Sequence, residues 1–307
     1  MSKRAFAIRA LSLAAGLVLV GASTAGAASA GADPFSADSF GADTSGPPTP
    51  GGAVFLVTAM NGTNAPAADP DGTGRVVIRI QGTQVCYLMQ WNNILAPFAA
   101  HIHLAPVGSN GPVAVGLFAG QLPDSIRGVT GCVTADAAVV AAIVANPGAY
   151  YANLHDANFP GGTIKGQLRM LNRGVDLTRL LREPLIAQMD GMQEVPNAGD
   201  PDGRAVGFVR LKGRTTVRFA FAWSAIAPPT AGHIHTGGVA QAGPIVVPFF
   251  AAPTGLPVTI NGIAGEVEAD AALVASIRSH PSRFYVNLHN AEFPAGGIRG
   301  QLARADD

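Results

Sequence analysis

Six of the seven histidines in this 307-residue chain recur at matched positions of an internal repeat. His101-Ile102-His103 returns as His233-Ile234-His235. Each pair is followed downstream by Asn-Leu-His, at Asn153-Leu154-His155 and Asn287-Leu288-His289. On a strand, residues i and i+2 project to the same face, so each His-Ile-His aims two imidazoles together. A third imidazole from a neighbouring strand would make a three-nitrogen metal site, and His155 and His289 are the candidates for that place. Imidazole suits zinc and copper, and catalysis would need an open fourth position. The ring must be neutral to bind, which predicts that affinity falls as pH drops through about 6.5. The alternative is a scaffold role, in which an imidazole bridges two loops by hydrogen bonding through both nitrogens. Retention of all six residues argues for a shared role and leaves both readings open.

Other residues offer less. The Asp-Pro-Asp-Gly segments at 69–72 and 200–203 pair carboxylates but lack the ligand ladder of a calcium loop, and their Pro and Gly predict turns. Asp156 could orient a ligand beside His155, but Asn290 stands in its place in the second copy. Gln167 and Gln301 are expected to bond backbone in a closing strand. Lys165 and Arg299 alternate with them and are expected to face solvent. His280, matched by Asn146, is expected to be a helix cap or surface residue. The mature chain has no Gly-x-Ser-x-Gly, no His-Glu-x-x-His and no phosphate-binding glycine loop, so no catalytic residue is assigned.

The elements that must position the histidines lie in two similar units, 53–170 and 184–303. Trp91 matches Trp223, each ten residues before the first His of its pair. Gly111-Pro112-Val113 matches Gly243-Pro244-Ile245, and Gly166-Gln167-Leu168 matches Gly300-Gln301-Leu302. A two-fold repeat of this length is a duplicated domain. Apolar runs and alternations predict strands at 76–80, 85–91, 113–118, 150–155 and 164–168, with counterparts in the second unit. One helix per unit is predicted, 136–146 and 270–280, with Asp136 and Asp270 as N-caps and Pro147 and Pro281 as stops. Only 13% of residues are charged, with 38 Gly and 23 Pro, which suits a turn-rich β protein. The fold expected is mainly β: two tandem antiparallel sandwich-like domains of Greek-key type, each with one short α-helix.

The N-terminus reads as an export signal over 1–30, with Lys3, Arg4 and Arg9 before an apolar stretch and an Ala28-Ser29-Ala30 cleavage pattern, with Ala25-Gly26-Ala27 as an alternative site. Its start loosely resembles a twin-arginine signal, with Lys in the first Arg place. A flexible spacer is expected at 31–52, and a linker at 171–183 whose residues 176–183 form a short polar helix. No later segment has the length and apolarity of a membrane span. The expected location is secreted, periplasmic or at the cell surface. A net charge of zero argues against nucleic acid as a partner.

The only cysteines, Cys86 and Cys132, are expected to form a disulfide in an exported chain. They match Arg218 and Glu266, so one copy carries two thiols where the other carries opposite charges. Both pairings need proximity, which makes these strands neighbours in each domain.

Together the motifs resemble the CHRD domain family, named after chordin. The carriers are Ala-x-Met-x-Gly with Glu194-Val195-Pro196, His-Ile-His before Gly-Pro-Val/Ile, Tyr/Phe-Tyr-x-Asn-Leu-His, and the closing Gly-x-Ile-Lys/Arg-Gly-Gln-Leu. The first copy departs from this pattern at Ala65-Pro66. The resemblance implies an extracellular β-rich module without an assigned molecular activity. Copper/zinc superoxide dismutases also carry a His-x-His on a β-sandwich, but their bridging-histidine segment has no counterpart here. The leading expectation is a non-enzymatic module that binds an unknown extracellular protein or surface ligand, with duplication allowing bivalent contact. The second is a histidine-ligated copper or zinc protein, with superoxide-dismutase-like redox activity as one form of it.

Overall fold

The computed structural model describes residues 52–64, 68–106, 108–171 and 185–304. The expected export signal, the 176–183 helix and the Ala65-Pro66 position lie outside them, as do nearly all of the spacer and linker. No helix among the described residues is long and apolar enough to cross a membrane.

The fold is mainly antiparallel β, as expected. The first unit contains β1 (Val54–Asn61), β2 (Thr73–Gln81), β3 (Gln84–Asn92), β4 (Ala99–Leu104), β5 (Val113–Ala119), β6 (Ile126–Thr134), β7 (Tyr150–His155), β8 (Ile164–Gln167) and β9 (Arg169–Met170). Hydrogen bonding orders them β5-β4-β7-β8 and β9-β1-β2-β3-β6, with β8 meeting β1 at Asn61 and Lys165. The connections β3–β4 and β5–β6 cross between these two groups. The second unit repeats the plan with β10 (Leu185–Asp190), β11 (Arg204–Lys212), β12 (Thr216–Ser224), β13 (Ala231–Thr236), β14 (Ile245–Ala251), β15 (Ile260–Glu268), β16 (Phe284–His289), β17 (Ile298–Gln301) and β18 (Ala303–Arg304).

Alternation decides which face is core. On β2 the inward residues Val76, Ile78 and Ile80 are buried and their neighbours are more exposed. Trp91, Ile102, Leu117, Leu154 and Ile164 join the same core, as do Trp223, Ile234, Phe249, Leu288 and Ile298 in the second unit. Sequence patterning passes over β6 and β15, because glycines at 128, 131, 262 and 265 interrupt their apolar alternation. These two strands also pair with each other across the units, making the sheet continuous through the molecule.

Both predicted helices form, as α1 (Ala137–Ala145) and α2 (Ala271–Ser279). The Asp136 carboxylate accepts from the amides of Ala138 and Val139, and Asp270 does the same for Ala272 and Leu273. Each helix buries a narrow apolar stripe, Val140 with Ile143 and Val274 with Ile277. Asn146 and His280 are the C-caps, and the proline that follows each prevents continuation. The disulfide Cys86–Cys132 joins directly opposed residues of β3 and β6. Its counterparts Arg218 and Glu266 are directly opposed on β12 and β15 and form an exposed ion pair at 3.1 Å.

Candidate metal centre

β7 is buried along its whole length, although only one of its faces is core. Ala152 and Leu154 pack inward with Ala100 and Ile102 of β4. The opposite face carries the polar residues. His101 lies opposite Asn153, which lies opposite Lys165; in the next row His103 lies opposite Tyr151, and Tyr151 opposite Gln167. The second unit reproduces this grid as His233-Asn287-Arg299 and His235-Tyr285-Gln301.

Loops roof the grid. In the first unit Nδ1–H of His103 donates to the Gly111 carbonyl at 2.9 Å, and the Gly111 amide donates to the Tyr151 hydroxyl. His235, Gly243 and Tyr285 repeat the arrangement. A Cβ on Gly111 would lie 2.1 Å from the Leu104 carbonyl oxygen, and one on Gly243 1.7 Å from that of Thr236, so only glycine fits at the anchor. The side chains of Gln167 and Gln301 donate to backbone carbonyls, as expected, and tie strand to roof at Ala105 and Gly237.

The three candidate histidines of each unit come together. The ligand atoms of His101, His103 and His155 lie within 4.8 Å of one another, and so do those of His233, His235 and His289. Nδ1 of His101 is 3.0 Å from Nε2 of His155. With metal–nitrogen bonds of about 2.0–2.1 Å, tetrahedral ligand nitrogens sit roughly 3.3 Å apart. The His101–His155 spacing already matches that, whereas separations approaching 4.8 Å would have to close further for the triad to enclose an ion.

Tautomers are set by the surroundings. A carbonyl oxygen can only accept, so the nitrogen facing it must carry the proton. Nδ1–H of His155 donates to Pro160 at 2.9 Å and Nδ1–H of His289 to Pro294 at 3.0 Å, alongside the His103–Gly111 and His235–Gly243 bonds. In all four rings Nε2 keeps its lone pair and turns inward. Such Nδ1–H to carbonyl bonds are the usual support of metal-ligating histidines. Nε2 of His103, His235 and His289 and Nδ1 of His233 are buried without a hydrogen-bond partner. A scaffold histidine would use both nitrogens, as His155 does through Pro160 and Asn153; the four atoms just named are left unused at the point of convergence.

Burial favours the neutral form of five of the six rings. Desolvation, then neighbouring imidazoles, depress His101 to about 4, and His233 is depressed to about 4 for the same reasons. Desolvation also lowers His155, His235 and His289. Protonation of these five rings therefore falls below the 6.5 expected of a free imidazole.

Lys165 and Arg299 do not face solvent, contrary to the sequence expectation. They are only 1% and 2% exposed, on the histidine face of β8 and β17. The Lys165 ammonium bonds Asn110 at 2.8 Å and lies over the Tyr151 ring. The Arg299 guanidinium lies 3.4 Å from the Tyr285 ring centroid and donates to the Gly238 carbonyl. Each cation contributes to lowering a candidate histidine, His155 or His235. Glu194 is buried beside Arg299 and Asn287, and desolvation raises it to about 7 against the pull of Arg299. Tyr151, Asn153, Lys165, their counterparts and Glu194 are the site neighbours that motif reading missed. The period of two in Tyr-x-Asn-x-His and Lys-x-Gln is the signal that would have found most of them.

Asp156 orients no histidine. Its carboxylate accepts from the amides of Asn158 and Phe159, and Asn290 makes the equivalent turn with Glu292 and Phe293. Either side chain suffices for that job. Asp69 and Asp200 likewise accept from the amides of Gly72 and Gly203, closing the predicted turns.

Neither a curated protein nor a solved structure matches the chain. The model of the CHRD domain matches it twice, over residues 56–168 and 185–302, and each match contains one complete histidine triad. The chain belongs to the CHRD domain family and carries the domain in two tandem copies.

Proposed function

We propose that each domain binds one copper or zinc ion through its triad, His101, His103 and His155 in the first and His233, His235 and His289 in the second. The observation that carries this reading is the set of inward-facing lone pairs at His103, His235 and His289: buried, without a hydrogen-bond partner and fixed in one tautomer by a carbonyl acceptor. Three uncharged nitrogens suit a borderline cation such as copper or zinc better than magnesium or calcium, which prefer oxygen. With only three protein ligands, a bound ion would keep a position for water or a small anion and supply Lewis-acid or, for copper, redox chemistry. The chain's own residues orient the rings, keep them neutral and limit water access.

Localisation is part of this proposal. CHRD is an extracellular-type domain and a disulfide is present, which supports the secreted or periplasmic location read from residues 1–30. The reading as a surface-interaction module finds support in exposed apolar side chains next to the roofs, Leu104 and Val113 in the first domain and Val239 and Ile245 in the second. Metal binding and surface binding are compatible.

The deciding experiment is metal analysis of purified protein after chelator stripping and reloading with copper or zinc. Two ions per chain are expected, falling to one in His103→Ala and in His235→Ala, and to none in the double variant, with circular dichroism unchanged. Absence of stoichiometric metal at saturating supply, with the variants merely less stable, would overturn the metal reading in favour of a histidine scaffold.

A further inference from the structure

The pairing of β6 with β15 is symmetric in a way that a simple domain contact does not require. By the repeat, Ile126, Gly128, Val129, Thr130 and Gly131 correspond to Ile260, Gly262, Ile263, Ala264 and Gly265. Across the seam Ile126 faces Gly265 and Gly131 faces Ile260; Gly128 faces Ala264 and Thr130 faces Gly262. Each pairing thus recurs with the roles exchanged. Val129 faces Ile263, its own counterpart, so a local two-fold axis passes between them.

The flanking contacts obey the same symmetry. The amide of Cys132 donates to the Thr259 carbonyl at 3.2 Å, and the amide of Glu266 donates to the Ser125 carbonyl at 3.0 Å. These are one bond made twice, since Cys132 matches Glu266 and Ser125 matches Thr259. A Cβ on Gly131 would lie 1.9 Å from the Thr259 oxygen, and one on Gly265 2.2 Å from the Ser125 oxygen. The glycines that weaken both strands as sequence patterns are what lets the backbones meet. The Tyr87 hydroxyl, directed at Thr259 where the other copy has Phe219, and the Thr130 side chain, where the other copy has Ala264, depart from the equivalence.

A contact in which both partners offer the same patch is isologous, the usual geometry of two-fold homodimers. We infer that this strand edge is a homotypic docking surface, made to receive a second copy of itself, and that tandem duplication supplies that copy within the chain. Nothing in the backbone pairing of β6 distinguishes β15 from another β6. An uncovered β6 would present an open ladder, the situation edge strands must avoid, and a second molecule of this chain is the partner that fits it.

The test uses the full-length chain and does not depend on metal. Gly265→Val places a side chain against the Ser125 carbonyl, and also against the Phe219 ring of its own domain, and bars β15 while leaving β6 intact. Glu266→Pro removes the donor to Ser125, whose N–H points across the seam rather than into the β12 ladder. By light scattering coupled to size exclusion, each variant should double in mass through β6–β6 pairing of two molecules. Adding Gly131→Val to either should return it to the wild-type mass, with β-sheet circular dichroism retained throughout. The inference is overturned if both single variants keep the wild-type mass, or if Gly131→Val fails to reverse the doubling. Hydrogen exchange at the Cys132 amide checks the first of these: a monomer with that amide exposed denies the homotypic edge, and a monomer with it still protected denies the requirement for glycine.

Discussion

Asn153 donates from its side-chain amide to Nε2 of His155 at 2.8 Å, the atom that would bind an ion. The amide occupies the lone pair in the metal-free protein and would have to give it up to an entering ion. Asn153→Ala should therefore destabilise the stripped protein by about 1 kcal/mol and the loaded protein by less. Thermal unfolding with and without copper or zinc measures this, and the expected result is a larger metal-induced rise in Tm for the variant than for the parent.

The depressed histidines give the stripped fold a defined pH response. His101 and His233 sit near 4 when folded, against 6.5 for a free ring, so between those values the unfolded chain binds more protons. Their contribution is fully present above about 6.5 and is lost as pH falls toward 4. Urea midpoints of chelator-treated protein should drop between pH 7 and pH 4.5. His101→Gln/His233→Gln should flatten that drop; an unchanged slope would assign it to other groups.

Glu194 predicts the opposite sign in the second domain. Its carboxyl is raised from 4.5 to about 7, so the folded state holds the proton more tightly than the unfolded chain. The stability this contributes is present below about 4.5 and is lost as pH rises through 7. Glu194→Gln should leave stability at pH 4.5 nearly unchanged and raise it at pH 8 by on the order of 1–3 kcal/mol. Denaturant titrations at the two pH values would show it.

The covalent link and the ion pair at the same grid position should differ in worth. Removing the disulfide opens a loop of sequence separation 46, a loss of about 4 kcal/mol in the chain-entropy model. The Arg218–Glu266 pair is 45% and 41% exposed and should contribute about 0–1 kcal/mol. Cys86→Ala/Cys132→Ala should thus lower Tm far more than Arg218→Ala. Because Arg218 and Glu266 face each other as the cysteines do, Arg218→Cys/Glu266→Cys should oxidise spontaneously, which mass spectrometry without reductant would detect.

Much of the fold was legible where pattern and punctuation agreed. Asp136 before an apolar run and Pro147 after it set one helix, and alternation around Val76 to Ile80 set one strand. The pairing of β3 with β6 followed from two positions that carry thiols in one copy and opposite charges in the other. The triads were legible because strand periodicity puts His101 and His103 on one face. Lys165 and Arg299 were misread because a charged residue on an alternating strand ordinarily marks the wet side. Here that side is covered by loops whose path depends on backbone carbonyls at Gly111, Gly238 and Gly243; the repeated Gly-Pro-Val/Ile marks the anchor but not what its carbonyl accepts. The β6–β15 seam was hidden for a related reason: its contacts are backbone to backbone and its defining residues have no side chain.

One residue of each roof holds two residues of the floor. Gly111 accepts from His103 and donates to Tyr151, and Gly243 does so for His235 and Tyr285. Lifting the roof breaks the bond that sets the ring's tautomer, so opening the path and loosening a ligand become one event. An ion held this way would be gated: its dwell time would follow the rate of loop opening rather than the strength of any single metal–nitrogen bond. Exchange should accordingly be slow and all-or-none, with the two domains emptying at separate rates because their roofs, secured by Lys165 to Asn110 in one and Arg299 to Gly238 in the other, are latched differently.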